Sequence, residues 1–488
     1  MSNPSERANS HLYPVVDVNQ AFRGGPRTLK FLVQINKASL VMLTERGIVP
    51  AEAAAQIAAG MLAIDGDPDA PQSGDYLQYE QRLVEKVGPQ ASLVHAGRSR
   101  QDIASQLARL NLRDDLLNAH AALASARAAI LELADKHRDT IIPAYTHGVQ
   151  AQPTTLAHYL LALSSAIGRQ LDRFVEAWAR LNRSSLGAAA LSTSSFPVDR
   201  QRLAALIGCD GIVENAYDAN HFAPVDIALD YANALSVCAV QVGQFAQDLH
   251  AQYAAPVPWI TLQAGDLIGV SSLMPQKRNP AALEQLRAQC SLLLADMQGP
   301  FMLAHNVRTG MFDYRAYDPM PTTRPVAVFA LLERVVRSLD VNREQARAEV
   351  DADYSTVTEI ADKLMQRANV PFRIGHHFAS VLTDYGRGQR KRLCDISYGE
   401  AARLYQETNG TPMPIDEAAF AQCVDPAQMV FNRRGTGGPQ LEEVARMFAG
   451  ESRAAAAAID WNREARARIA GADAELQRLT MELARQRQ

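Results

Sequence analysis

Three polar clusters stand out in a chain whose remaining sequence is mostly typical of helices. The first is R-S-R-Q-D at residues 98–102, the second spans residues 145–152 around a threonine and a histidine, and the third is a loop at residues 265–284. Together they supply hydroxyls, a guanidinium, an imidazole and an ammonium group. Such groups bind carboxylates and transfer protons, so the set predicts an anion site with acid–base chemistry. Either of the first two clusters by itself is more typical of a structural role.

The loop at residues 265–284 has the most informative sequence, G-D-L-I-G-V-S-S-L-M-P-Q-K-R-N-P-A-A-L-E. It presents adjacent hydroxyls at Ser271 and Ser272 and then an ammonium group at Lys277. Asn279 followed by Pro280 predicts a helix start, because Asn accepts bonds from the first backbone N–H groups and proline needs no such bond there. The free N–H groups and the positive end of that helix favour a bound carboxylate.

Long apolar patterns of helical period must position these clusters. The clearest stripe has apolar residues at three- and four-residue steps between Leu156 and Phe174. Helices are predicted over residues 27–59 with a break near 50, and over 76–87, 103–136, 153–181, 224–255, 281–297 and 325–338. The segment 103–136 is apolar on more than one face, which predicts that neighbouring helices enclose it. No strand pattern of comparable strength appears, so we predict an all-α protein.

The chain of 488 residues is too long for one simple core. A proline break at residues 369–372 precedes a region of shorter helical patterns with more glycine. We therefore predict an N-terminal helical domain over residues 1–103, a central helical bundle over 104–368 and a C-terminal helical domain over 369–488.

The composition is that of an ordinary soluble protein. A formal net charge of −4 is small for this length and argues against binding nucleic acid or a membrane surface through bulk charge. The five cysteines are far apart, with no C-x-x-C pair, as in a protein with reduced thiols. The polar N-terminus and the lack of a run of about 18 apolar residues predict a cytoplasmic protein without a membrane span. Metal-ligand spacing is missing, because adjacent histidines at 376 and 377 cannot both face one ion from a helix.

The string S-S-L-M-P-Q-K-R-N-P at residues 271–280 resembles the signature loop of the aspartase/fumarase superfamily. Its M-P-Q-K is most similar to the argininosuccinate lyase branch. Further strings similar to that branch are G-R-S-R-Q-D at 97–102, Y-T-H-G-V-Q-A-Q-P at 145–153 and P-F-R-I-G-H at 371–376. The resemblance implies a homotetramer whose long helices form a shared central bundle. It also implies active sites where three subunits meet, each contributing one cluster, and no cofactor.

The reaction implied by the resemblance is elimination of an amine from an N-substituted aspartate to leave fumarate. Removing the proton beside a carboxylate creates a dianion, which needs electrostatic donors; Lys277 and Asn279 fit that need. The resemblance assigns the base to Ser271, a hydroxyl that must be ionised to act. His147, oriented by Glu284, is the candidate for the leaving nitrogen, either as the acid or as part of a relay.

Other residues are implied to bind the small-molecule dicarboxylate substrate, with Arg100 as a two-pronged donor to a carboxylate. They are Ser99, Arg100, Gln101, Thr146, Gln152, Ser272, Met274 and His305.

The chain departs from the argininosuccinate lyase pattern at several positions. Gln101 and Ile103 replace an Asn and a Gln, and Val149 replaces a Gln. The family's Asp, Ser and Ala-His string near the N-terminus corresponds to Leu32, Asn36, Ala38 and Ser39.

The departures concentrate on the part of the pocket that holds the arginine-bearing half. There His305, Gly310 and Asp313 replace a Tyr, a Gln and a Lys. A pocket that loses its hydrogen-bonding partners discriminates against the original ligand. We therefore expect an amine other than arginine, with ethylenediamine-disuccinate or iminodisuccinate as the next candidates and argininosuccinate itself as an alternative.

Two interpretations from other classes remain. One is a catalytically idle homologue with a structural role, which predicts loss of the Ser-Lys-His set. The other is a helical scaffold that binds nucleic acid through the basic stretch at residues 387–392. The first set is present, and a solvated loop explains the second feature.

Overall fold

The computed structural model describes residues 26–67, 74–311, 313 and 323–486. Its first helices are α1 (Pro26–Glu45), α2 (Ala51–Asp65) and α3 (Tyr76–Val87), followed by a 3-10 turn at Pro89–His95. Pro50 is the N-cap of α2, which explains the break expected near this residue. The apolar faces of these helices pack into one core.

Long helices dominate the middle of the chain. The helices described there are α4 (Arg100–Lys136), α5 (Leu156–Leu181), α6 (Arg200–Leu206), α7 (Ala216–His221), α8 (Ala223–Tyr253), α9 (Ala281–Ala304) and α10 (Thr323–Arg337). α4 packs against α5, α8 and α10 and is buried along most of its 37 residues. The prediction that neighbours enclose this helix is confirmed, as is the all-α class.

The directions of the bundle helices follow from contacts at their ends. α4 and α10 run the same way, because Arg337 at the end of α10 pairs with Glu132 near the end of α4 at 2.5 Å. α9 runs the opposite way, since Arg324 at the start of α10 pairs with Asp296 near the end of α9 at 2.6 Å. α8 packs along α9, and Tyr253 at the end of α8 reaches the strand that precedes α9. α8 is therefore antiparallel to α9.

Short strands lie at the ends of the long helices. β1 (Ile141–Thr146) and β2 (Val149–Thr155) form an antiparallel hairpin between α4 and α5. β3 (Ile260–Leu262) pairs with β6 (Leu339–Val341), and β4 (Gly269–Val270) pairs with β5 (Arg278–Asn279). The sequence analysis missed the hairpin and began the helix at 153, inside β2.

The C-terminal helices are mostly short. They are α11 (Arg343–Ala352), α12 (Val357–Ala368), α13 (Phe372–Gln389), α14 (Tyr398–Asn409), α15 (Glu417–Val424) and α16 (Pro426–Phe431), followed by the long α17 (Leu441–Arg485). A separate apolar core forms within residues 354–424.

α17 returns along the bundle to the N-terminal helices. Its Asn462 side chain donates to the Leu117 carbonyl in α4 at 2.9 Å, and Gln477 accepts from Lys37 in α1 at 2.8 Å. The last helix thus packs on the first two predicted domains. The proposed boundaries at residues 103 and 368 stay a prediction.

Arg109 and Arg113 of α4 are buried, and no carboxylate of the described residues is in hydrogen-bond contact with them. Arg109 donates to the carbonyls of Arg180 and Leu181, both at 3.1 Å, and Arg113 donates to the Ile207 carbonyl at 3.0 Å. These carbonyls end α5 and α6, where a helix leaves its acceptors unpaired and favours positive charge. Burial lowers the pKa of the Arg109 guanidinium to about 10.

Among the described helices, α8 is long and apolar enough to cross a membrane by length and composition. The sequence analysis did not expect any segment to reach that range. The helix packs against α5 and α9 and contributes Leu235, Val242 and Phe245 to the bundle core. The apolar character of α8 is therefore explained by its packing in the bundle core.

Candidate active site

The loop that carries Ser271 is held by the β4–β5 pair at its base and by its own backbone. Ser271 Oγ accepts hydrogen bonds from the backbone N–H groups of Leu273 at 3.3 Å and Met274 at 3.0 Å. N–H donors stabilise negative charge on an oxygen. This turn therefore favours the ionised hydroxyl that a serine base requires.

The start of α9 differs from the prediction. Asn279 lies in β5 opposite Gly269, and Pro280 is the N-cap, with no side-chain capping bond. The expected Asn279 cap was wrong, because strand pairing holds that residue in the sheet. The amides of the first turn are also occupied: Ala282 donates to the Leu267 carbonyl at 3.0 Å, and the next two donate to the Pro280 carbonyl. The loop side chains, and not these amides, are left to hold a carboxylate.

Most of the predicted loop residues are exposed in the single chain. Ser272, Met274, Lys277 and Glu284 are exposed, whereas Ser271 and Asn279 are half-buried. Leu273 at the tip is 83% exposed. Val270 and Met274 in the same loop are also exposed, and several exposed apolar side chains in one loop are typical of a surface that another molecule or subunit covers.

His147 occupies the turn of the β1–β2 hairpin. His147 and Gly148 both have left-handed backbone conformations, with φ of +54 and +75 degrees, as two-residue hairpin turns require. A non-glycine residue in this region is uncommon and is enriched at functional sites. Thr146 and Gln152 lie on the two strands of the same hairpin and are exposed.

The hairpin is anchored below its turn to α11 and the following segment. The Tyr145 hydroxyl donates to the Glu349 carboxylate, and Gln150 Nε2 donates to the Val350 carbonyl at 3.1 Å and to Ser355 Oγ at 3.0 Å. Burial and the Glu349 carboxylate raise the pKa of Tyr145 well above its usual range. The base of the hairpin is fixed while its turn projects into solvent.

The first cluster is the N-terminus of α4. Ser99 is the N-cap: its hydroxyl accepts from the Gln101 amide at 3.0 Å, and its own amide donates to Asp102 at 2.8 Å. This reciprocal capping box fixes the backbone beside Arg100. Asp102 is fully buried, and burial raises the pKa of its carboxyl from 3.8 to about 6, although the Ser99 amide bond opposes the shift.

Within one chain the clusters lie at opposite ends of the bundle. Gln101 Nε2 donates to the Asn220 carbonyl at 3.2 Å, which places the first cluster beside the start of α8. Tyr253 Oη donates to the Arg278 carbonyl at 3.2 Å, which places the Ser271 loop at the end of α8. α8 has 31 residues and therefore spans about 46 Å. One chain does not bring Arg100 to Ser271.

The hairpin lies at the same end of the bundle as the Ser271 loop. The Tyr145 hydroxyl interacts with the Gln252 side chain at the end of α8. Between the two described side chains His147 and Glu284, the single chain shows no hydrogen bond. The orientation of His147 by Glu284 stays a prediction.

The segment at residues 305–311 lies at the same end of the bundle as the first cluster. His305 is the C-cap of α9, exposed, and Gly310 follows with φ of +88 degrees. A Cβ at Gly310 would stand 3.2 Å from the ring of His221, so this segment touches the end of α7. Asp313 is exposed. Leu32, Asn36, Ala38 and Ser39, the other departures, are buried in α1.

Sequence reasoning missed three supporting features. The hairpin has a detectable signal, because His147-Gly148 is a dipeptide suited to a tight turn. The capping box was also readable, since Ser99 and Asp102 have the required three-residue spacing. The Tyr145–Glu349 contact joins distant segments and has no local signal. Within the described ranges, no three His, Cys, Asp or Glu side chains cluster as a metal site.

Comparison with known proteins places the chain in a family. The family model described as Lyase matches residues 34–293, and the model described as Argininosuccinate lyase C-terminal matches residues 354–430. An argininosuccinate lyase from Haloarcula marismortui is 31% identical over 425 residues, covering 84% of this chain and 82% of that protein.

Solved structures agree with this placement. The crystal structure of an EDDS lyase in complex with formate has a TM-score of 0.85 and 28% sequence identity, and the match covers 94% of this chain and 92% of that one. A variant of EDDS lyase with bound fumarate gives the same values. Both the sequence relatives and these structures are fumarate-forming carbon–nitrogen lyases or their close kin. The chain therefore belongs to the lyase family of the aspartase/fumarase superfamily, in its argininosuccinate-lyase-like branch, and is a fumarate-forming carbon–nitrogen lyase.

Proposed function

We propose that this protein eliminates an amine from an N-substituted L-aspartate, reversibly and without a cofactor, and that the amine is not arginine. The observation that carries the proposal is the Ser271 turn, in which two backbone N–H groups point at the hydroxyl of a loop that also presents Lys277. An ionised serine with a cation nearby suits proton removal from a carbon beside a carboxylate.

In the proposed reaction Ser271 takes a proton from the succinyl carbon adjacent to a carboxylate. The negative charge spreads onto that carboxylate, where Lys277 and Asn279 stabilise it. The carbon–nitrogen bond then breaks, its electron pair stays on nitrogen, and a proton delivered through His147 completes the free amine. The products are fumarate and an amine, and no electrons are gained or lost overall.

The two carboxylates of the succinyl half are assigned to the remaining polar residues. Ser99, Arg100 and Gln101 bind one end from the N-terminus of α4, and Thr146 with Gln152 contributes from the hairpin. Ser272 and Met274 are proposed to contact the substrate from the Ser271 loop, and His305 is proposed to contact its amine half. Guanidinium groups bind carboxylates through two parallel bonds, which suits Arg100.

The active form is a homotetramer in which three subunits complete each site. The support is the length of α8, about 46 Å, because the first cluster lies beside one end of this helix and the Ser271 loop beside the other in one chain. Val240 on α8 and Leu292 on α9 are half-exposed apolar residues near the helix midpoints. A two-fold axis there would bring one copy's loop to another copy's first cluster. We place the protein in the cytoplasm, acting on small molecules.

The test is an assay with purified protein and a panel of N-substituted aspartates. The panel includes argininosuccinate, ethylenediamine-disuccinate and iminodisuccinate, which are the candidate substrates from the sequence analysis. It also includes adducts of fumarate with simple amines. Elimination raises ultraviolet absorbance as conjugated fumarate forms, and the reverse reaction consumes it. If no substrate of the panel reacts, either by elimination or by addition of an amine to fumarate, the result supports a catalytically idle homologue. Light scattering reports the mass of the assembly.

A further inference from the structure

Two sequence departures converge on one short helix. Gln101 donates through Nε2 to the Asn220 carbonyl at 3.2 Å, and Gly310 touches the neighbouring residue, His221. Both positions differ from the argininosuccinate lyase pattern, and they lie on different elements, the start of α4 and the segment after α9. Asn220 is fully buried, and its Oδ1 finds no hydrogen-bond partner among the residues that the structure describes. Buried polar atoms without partners are uncommon and call for a functional explanation. The rewritten part of the pocket is therefore centred on α7.

His221 presents an acceptor toward this space. Its ring stacks on Tyr217 with centroids 4.5 Å apart and an interplanar angle of 30 degrees. Nδ1 lies 3.1 Å from the Tyr217 carbonyl; a carbonyl only accepts, so Nδ1 carries the proton. In the neutral ring Nε2 is then an acceptor. Nε2 belongs to the ring edge that faces Gly310, where a Cβ would stand 3.2 Å from both Nε2 and Cδ2.

The surroundings of the His221 ring are aromatic and apolar and carry charges of both signs. Tyr217, Phe222 and Met311 are half-exposed, and Phe222 lies 6.3 Å from the Tyr217 ring. Asp218 and Asp226 lie within residues 216–226, and Arg308 lies in the turn that its carbonyl closes by accepting from the Met311 amide. Aromatic faces bind aromatic groups and cations, so the exposed rings are the distinctive feature of this surface.

We infer that Tyr217, His221 and the Gly310-Met311 backbone form the amine-half subsite, which takes an aromatic or apolar amine. An N–H group of the amine half donates to His221 Nε2, and the substituent packs on Tyr217 and Met311. The inference rests on the proposed function, because it names the amine that the same site releases.

The test compares substrates that differ only in the amine half. We expect kcat/KM for N-benzylaspartate to exceed that for ethylenediamine-disuccinate and argininosuccinate by about tenfold, since its benzyl ring makes aromatic contacts that the other two amine halves cannot make. His221→Ala should lower kcat/KM for N-benzylaspartate about tenfold, mainly through KM. His221→Phe keeps the stack and should recover part of that loss. His377→Phe, an exposed histidine on α13, is the matched control and should behave like the parent.

Different failures have different meanings. If ethylenediamine-disuccinate or argininosuccinate is the best substrate, the subsite inference is wrong and the lyase proposal stands. The inference also fails if His221→Ala matches the parent, or if Tyr217→Leu changes the assembly mass measured by light scattering, which would make the patch a subunit contact. If no substrate reacts, calorimetric titration with N-benzylaspartate decides: binding by the parent and not by His221→Ala supports the subsite, and equal or no binding overturns it.

Discussion

The two ends of the helical bundle hold their polar clusters in different ways. At one end, Ser99 and Asp102 form a reciprocal cap at the start of α4, with Asp102 fully buried. At the other end, Ser271 is held by two amides of its own turn, and its neighbour Leu273 is almost fully exposed. A capping box around a buried carboxyl fixes the first cluster, whereas the hydroxyl of Ser271 is held within its own exposed turn. The proposed binding end and the proposed reacting end are thus held by contacts of different kinds.

The largest expected effect is at the reacting end. Ser271→Ala removes the proposed base, and a positioned base contributes about 10²–10⁴-fold to the rate. We expect kcat to fall about 1,000-fold, with thermal unfolding unchanged because the hydroxyl is not part of the core. Steady-state kinetics measures this, with Ser165→Ala on α5 as a control. A Ser271→Ala enzyme as active as its parent would end the assignment.

The second prediction concerns Asp102 at the binding end. Its folded pKa of about 6 lies above the ordinary value of 3.8, so the folded state binds more protons and stability falls as pH rises between 4 and 6. The loss from this group is about 3 kcal/mol. Asp102→Asn keeps an acceptor for the Ser99 amide and removes the titration.

Urea unfolding at several pH values checks the Asp102 prediction. The free energy of unfolding of the parent should decline relative to Asp102→Asn as pH rises from 4 to 6, and the difference should be constant above that range. Parallel curves for the two proteins would show that the carboxyl does not titrate in this window.

The third prediction addresses the hairpin, which combines a fixed base with an exposed turn. Gly148→Ala places a side chain at φ of +75 degrees, a conformation that costs about 1–2 kcal/mol. Relaxation of the turn would displace His147, so we expect kcat/KM to fall about tenfold. Gly399→Ala, in open space with no unusual φ, is the control. If kcat/KM of Gly148→Ala equals that of the parent, the conformation of the hairpin turn does not affect the reaction.

The smallest expected effect is on folding at the exposed loop. Leu273→Ser should change the free energy of unfolding of a subunit by less than about 0.5 kcal/mol, because the side chain is already in solvent. If a neighbouring subunit covers the loop, the same variant should weaken assembly at low protein concentration. Denaturant titration and light scattering measure the two quantities. A large loss of subunit stability would contradict the exposed position.

Much of the helical architecture was predictable because apolar residues repeat with helical period. The segment 76–87 matches α3 in both bounds, and the stripe from Leu156 to Phe174 lies on α5. The hairpin was missed because β2 is rich in Gln, Thr and Pro and lacks a clear apolar alternation. The Asn279 cap was wrong because pairing with Gly269 is a non-local contact. Similarly, no local pattern reveals which ends of antiparallel helices meet.

The antiparallel packing of α8 and α9 has a consequence for assemblies that contain two different inactive variants. Arg100 and Ser271 lie at opposite ends of the helical bundle of each subunit. In the proposed assembly, the Arg100 and the Ser271 of one active site therefore come from different subunits. A subunit that lacks one of these two residues still contributes the other, intact residue to an active site of the tetramer. Mixing Arg100→Ala and Ser271→Ala subunits, each inactive alone, should therefore restore a fraction of working sites, an outcome that self-contained subunits would never give.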